Sequence, residues 1–167
     1  MCKGNKVRTV RELRKLLKHP RARRRWSTAR RKAVFGFTEK AVRKNLVKHN
    51  FCGRIVYVHK KIVPSLKRVE ARIRAYERKH KLEAWVPSDV QCFNWRKVRG
   101  GTSLSRHAHA IALDIHPSKN AYYPRYTGKK NQTTDIPARV FNAFLADGYG
   151  CGVEWDAPLD VMHVEYC

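Results

Sequence analysis

The placement of charge limits this chain more than any other feature. Its 167 residues carry a formal charge of +24, from 37 Lys and Arg against 13 Asp and Glu. Residues 100–167 hold only six of the basic residues (Arg106, Lys119, Arg125, Lys129, Lys130, Arg139). They also hold seven acids (Asp114, Asp135, Asp147, Glu154, Asp156, Asp160, Glu165). An excess of 25 positive charges therefore falls on residues 1–99. Such a division predicts a first half that attracts a polyanion and a second half with a different task. It argues against an acidic binding surface.

The length suits one modest core with an appendage. Aromatic residues at 10% and scattered Val, Ile and Leu argue against disorder of the whole chain. No apolar run approaches the ~18 residues of a membrane span. The basic N-terminus has no apolar segment after it, so no secretory signal is expected and synthesis in a cytoplasm is. The five cysteines (Cys2, Cys52, Cys92, Cys151, Cys167) are odd in number and form no CxxC, which predicts reduced, packed thiols.

Residues 1–50 contain 18 Lys/Arg and two acids, Glu12 and Glu39. Thr9 is placed to cap a helix with Val10, Leu13, Leu16 and Leu17 on one face, limited by Pro20. An arginine cluster from Arg21 to Arg31 surrounds Trp26. Thr38 is placed to cap a second helix that turns Ala41, Val42 and Leu46 inward and ends near Asn50. This stretch reads as a basic helical arm, with residues 51–167 as the remaining domain. Residues 54–63 are β-branched and predict a strand. Pro64-Ser65 opens a helix carrying Leu66, Val69, Ile73 and Tyr76. Ala108–Ile115 reads as a strand, 136–146 as a helix with Gly148 beyond its end, and 161–166 as a terminal strand with His163 and Glu165 on one face. The class is α+β, with a central antiparallel sheet flanked by helices and the arm in front.

The chemistry concentrates in two segments. Ser105-Arg106-His107-Ala108-His109-Ala110-Ile111-Ala112-Leu113-Asp114-Ile115-His116 places three imidazoles and a carboxylate within ten residues. Asp160-Val161-Met162-His163-Val164-Glu165 adds another imidazole and two carboxylates. Zinc takes imidazole nitrogen with carboxylate oxygen, and a catalytic zinc keeps one position open for water. A nearby carboxylate then takes the proton of that acidified water. Spacing alone does not choose among His107, His109, His116 and His163.

The first segment resembles the SxHxxGxAxD motif of the D-alanyl-D-alanine carboxypeptidase and L-alanyl-D-glutamate endopeptidase family of zinc peptidases. Ser105, His107, Ala112 and Asp114 match, and Ala110 stands where that family usually has Gly. The family's second motif is similar to Trp155, Asp160, His163, Val164 and Glu165. Upstream, Phe93-Asn94-Trp95-Arg96 resembles the segment that bears its substrate-contacting Arg. The resemblance covers roughly residues 54–167 and implies a small zinc-peptidase domain.

Carried over residue by residue, the resemblance makes His107, Asp114 and His163 ligands of Zn2+. Asp160 becomes the general base and Arg96 the group that holds the scissile carbonyl or its oxyanion. Ser105 orients the site, Glu165 either supports a ligand histidine or is an ordinary surface acid, and Trp155 is core or substrate platform. His109 remains a rival to His107, and His116 is expected to line the cleft or to be solvated. The implied activity is hydrolysis of a stem-peptide bond of bacterial peptidoglycan, L-alanyl-D-glutamate or D-alanine-containing, by a phage endolysin-like monomer. Such an enzyme is made in the host cytoplasm and acts at the wall after release or from a virion. The basic half would then bind anionic wall polymers, with nucleic acid as the less favoured partner. The alternative is a basic nucleic-acid- or wall-binding module that keeps the peptidase fold with little activity.

Overall fold

The computed structural model describes residues 7–18 and 26–167. Cys2, Pro20 and the arginines from 21 to 25 lie outside them. In chain order, β1 (Arg8–Thr9) and α1 (Val10–Leu16) are followed by α2 (Thr28–Phe35), α3 (Glu39–Arg43), β2 (Leu46–Phe51) and β3 (Arg54–His59). Then come α4 (Val63–Lys79), β4 (Val90–Gln91), β5 (Ala112–Ile115), β6 (Tyr122–Tyr123) and β7 (Thr133–Thr134). The last elements are α5 (Ala138–Ala146), β8 (Gly150–Cys151), β9 (Leu159–Asp160) and β10 (His163–Glu165). The architecture is α+β. Its largest sheet has the order β4-β5-β10-β8, with antiparallel neighbours throughout, and three two-stranded sheets surround it. No described helix is long and apolar enough to cross a membrane.

The helices begin where side chains satisfy their first amides. Thr9 and Glu12 form a reciprocal capping box at α1, and the Ser27 and Thr38 side chains accept from Arg30 and Ala41 N–H. α4 has Pro in its first turn, where a missing N–H costs nothing, and buries Leu66, Val69 and Ile73. α5 buries Val140, Phe141, Phe144 and Leu145, and Gly148 follows it at φ +85°.

Two expected elements take other forms. The helix expected to run from Thr38 to Asn50 stops at Arg43, and Leu46–Phe51 pairs with β3 from Leu46↔His59 to Phe51↔Arg54. Alternation decides this: His49 and Phe51 turn inward while Lys48 and Asn50 face water. The division expected between residues 50 and 51 thus falls inside a hairpin. The strand expected over Ala108–Ile115 begins only at Ala112, after a 3-10 turn at His107–His109 and a left-handed Ala110 at φ 53°. Ala110 occupies the motif position where Gly is usual, and a Cβ in that conformation costs about 1 kcal/mol.

The N-terminal segment shares the common core. Val10 and Leu13 are fully buried, and Phe35 and Val42 join the same cluster. β1 pairs with β7, and Arg14 donates to the carbonyls of Val153 (2.8 Å) and Trp155 (2.6 Å) while pairing with Asp156. Truncation of Leu13 to Ala leaves a cavity in this core. It should cost about 2–5 kcal/mol in urea unfolding, whereas Leu16→Ala, at a 44% exposed position, should cost far less.

Candidate metal centre

Register builds the site. β10 lies antiparallel to β5 with His163 opposite Asp114, so both side chains leave the sheet on one face. The 3-10 turn before β5 brings His107 over the same point. Ser105 Oγ accepts the His107 N–H at 3.3 Å and helps hold the turn. The reacting ends then meet in a near-equilateral triangle. His107 Nε2 is 3.2 Å from Asp114 Oδ1 and 3.2 Å from His163 Nδ1, and His163 Nδ1 is 3.1 Å from Asp114 Oδ1.

The outer nitrogens of the two rings are already engaged. His107 Nδ1 donates to the Cys92 carbonyl at 2.7 Å, which leaves its Nε2 as a lone pair. His163 Nε2 faces Glu165 Oε2 at 3.3 Å, and Glu165 is also 3.1 Å from Arg106 Nε. With Nε2–H donated to Glu165, His163 presents the Nδ1 lone pair inward. Two imidazole lone pairs and a carboxylate oxygen therefore converge, a set that a cation satisfies and hydrogen bonds among neutral rings do not. The edges of a tetrahedral zinc centre with bonds of about 2.0–2.1 Å are about 3.3–3.4 Å, close to the triangle found. The outer partners on both rings are the kind that orient metal-binding histidines. The three residues are the only such metal-competent group among the described residues, and they fit a zinc ion.

Asp160 lies on β9 beside this triangle. One of its oxygens is buried without a hydrogen-bond partner. Its pKa is raised: burial is the main cause, His163 and His107 pull it back, and Asp114 adds to the rise. Arg96 is exposed, and its charge reaches Asp160 and lowers that pKa. The Arg96 carbonyl accepts the Ser105 N–H at 2.9 Å, so the segment around Arg96 runs beside the residues that lead into the histidine turn. The Trp155 ring lies 5.4 Å from the His163 ring.

Two histidines of the sequence reading fall elsewhere. His109 is fully buried behind the turn, and neither ring nitrogen has a hydrogen bond. A 3-10 turn, unlike a strand, sends residues 107 and 109 in different directions. His116, at φ 50°, is also buried: its Nε2 accepts the Ser88 N–H, its Nδ1 meets Asp135 at 3.0 Å, and its ring stacks on Trp85.

Three contributors carry no side-chain signal in the sequence. The Cys92 carbonyl fixes a tautomer. Gly152 lets two backbones touch, since a Cβ there would lie 2.2 Å from the Asp160 carbonyl oxygen. Tyr122 pairs with Asp160 across β6 and β9.

Metal binding here should be linked to pH. Burial lowers the pKa of His163, but hydrogen bonds and charge from Asp114 and Glu165 outweigh it and raise the pKa to about 9. In chelated protein that stabilisation is full below the unfolded value of about 6.5 and is lost as pH rises through about 9. Thermal unfolding should therefore show the chelated protein losing stability between those limits. Zinc must displace the proton, so zinc affinity should rise with pH up to about 9. Calorimetry in buffers of different ionisation enthalpy should detect about one proton released per zinc.

No curated protein and no solved structure matches the chain. A family model described as D-alanyl-D-alanine carboxypeptidase matches residues 99–166. The match spans His107, Asp114, Asp160 and His163, and leaves Arg96 just outside. The match supports the resemblance seen in the paired motifs over residues 99–166, and that similarity suggests a peptidase of peptidoglycan-related substrates.

Proposed function

We propose that this protein is a zinc-dependent peptidoglycan peptidase of the endolysin kind, cutting a stem-peptide amide bond, either L-alanyl-D-glutamate or one that contains D-alanine. The observation that carries this reading is the convergence of His107, Asp114 and His163 on one point with the Asp160 carboxylate alongside. In this reading His107, Asp114 and His163 hold the zinc. The metal, when bound, supplies a Lewis acid that acidifies water. Asp160 takes a proton from the attacking water and returns it to the leaving amine, a task suited to a carboxylate whose pKa burial has raised. Arg96 donates to the oxygen of the scissile carbonyl as it gains charge. Glu165 and the Cys92 carbonyl hold the two imidazoles in their ligand tautomers, and Ser105 steadies the His107 turn. The Trp155 ring forms a wall beside His163.

The remaining surface charge suits attachment to anionic wall polymers, with the substrate reached after release from the host cytoplasm or from a virion. Trp26, the aromatic residue of the arginine cluster, packs against Phe35 and Tyr166. That packing disfavours the rival nucleic-acid-binding reading, in which its face would stack on bases.

The test is digestion of purified cell walls with and without chelator, with mass spectrometry of the released peptides to identify the bond. Wild-type protein should digest walls and stop on chelation. Asp160→Asn should keep stoichiometric zinc yet lose about 10²–10⁴-fold in turnover. Normal turnover in that variant would remove Asp160 from the role of base. Salt-sensitive DNA binding without wall digestion would favour the binding module.

A further inference from the structure

A second concentration of unmatched polar groups lies behind the metal centre, where α2 covers the His107–His109 turn. Nine buried side-chain polar atoms among the described residues lack a hydrogen bond, and five belong to this seam: Trp26 Nε1, Arg31 Nε, His59 Nε2 and both ring nitrogens of His109. The residues form one neighbourhood. The Phe35 ring lies 5.5 Å from Trp26 and 5.1 Å from His59. His59 N–H donates to the carbonyl of Ala110, next to His109, at 2.9 Å. The cationic side chains of Arg31, Lys32 and Arg106 lie within electrostatic reach of His109. Arg31 is 4%, His59 1% and His109 0% exposed.

The protons can be counted. His59 Nδ1 accepts the Lys61 N–H at 3.2 Å, so the neutral ring carries its hydrogen on Nε2. Trp26 Nε1 and Arg31 Nε are donors in every state. A neutral His109 adds one donor and one lone pair. The seam thus holds four buried N–H groups against a single acceptor. A water molecule would bring two lone pairs but also two more hydrogens in need of acceptors. The charge is also one-sided. Glu165, the nearby acid, is shared between Arg106 and His163. Burial and Arg106 lower the pKa of Arg31 more than Glu165 raises it, the mark of a guanidinium short of counter-charge.

We propose that this seam between α2 and the His107–His109 turn is a binding site for a small monovalent anion of the chloride class, held by Arg31, Trp26, His59 and His109. An anion adds acceptor capacity and no hydrogens. The surrounding rings of Trp26, Phe35 and Tyr166, with Glu165 at the edge, disfavour a large or multiply charged one. Occupancy would tie the basic N-terminal segment to the turn that presents His107. The site does not depend on the peptidase reading.

The experiment uses the full-length, zinc-loaded protein. Thermal unfolding is followed in sodium chloride and in sodium gluconate at equal ionic strength, and crystals soaked in bromide are examined by anomalous scattering. Unfolding temperature should be higher in chloride and rise with its concentration as a binding isotherm, with a bromide peak between Arg31 and His109. Arg31→Met should weaken the anion by about tenfold or more, the loss expected for a charge-assisted hydrogen bond. If that variant does not fold, Trp26→Phe keeps a ring and removes one donor, and should weaken the anion by a smaller factor. Equal unfolding in the two salts, bromide only at exposed lysines, or an undiminished chloride effect in the folded variants would each overturn the proposal.

Discussion

Three metal-competent groups crowded onto one point set the terms for the rest of the molecule. His107 Nε2, His163 Nδ1 and Asp114 Oδ1 lie 3.1–3.2 Å apart, a geometry that repels unless a cation or protons occupy its centre. Holding such a set together requires supports from several directions. The β5–β10 register places two of the groups, a 3-10 turn closed by a left-handed alanine places the third, and a carbonyl and a carboxylate pin the ring tautomers. The hydrophobic core beneath supplies the rigidity: Ile111, Leu113, Ile115 and Val164 are fully buried under the strands that carry the site.

What was legible in the sequence had a local physical cause. Capping residues marked α1 and α3, and 3.6-residue periodicity marked α4 and α5. The pairing of two short motifs named the three residues that meet in space. Legibility ended where a decision was not local. Residues 44–50 offer a weak apolar pattern that a helix or a strand accommodates, and the hairpin partner at 54–59 settles it. His107 and His109 look equivalent until the backbone turns left-handed at Ala110. The Cys92 carbonyl and the bare Cα of Gly152 are backbone features, and side-chain chemistry gives no notice of them.

Charge and packing divide the N-terminal segment in an unexpected way. Arg11, Lys15, Arg30, Lys40 and Lys44 are exposed, yet Val10, Leu13, Phe35 and Val42 are buried in the shared core. One stretch of chain thus contributes both surface charge and part of the core that supports the candidate metal centre. Surface charge and fold stability are carried by different residues of one segment.

The contacts of Arg14 carry a consequence in time. Its guanidinium grips Val153, Trp155 and Asp156, partners 139 to 142 positions later in the chain. The segment it holds leads directly into Asp160 and His163. Contacts of such long sequence separation form late, because most of the chain must exist and collapse first. On a ribosome, residues 8–14 emerge long before their partners. The metal triangle cannot close until His163 has been translated, so a nascent chain that has not reached that residue lacks the complete His107–Asp114–His163 set.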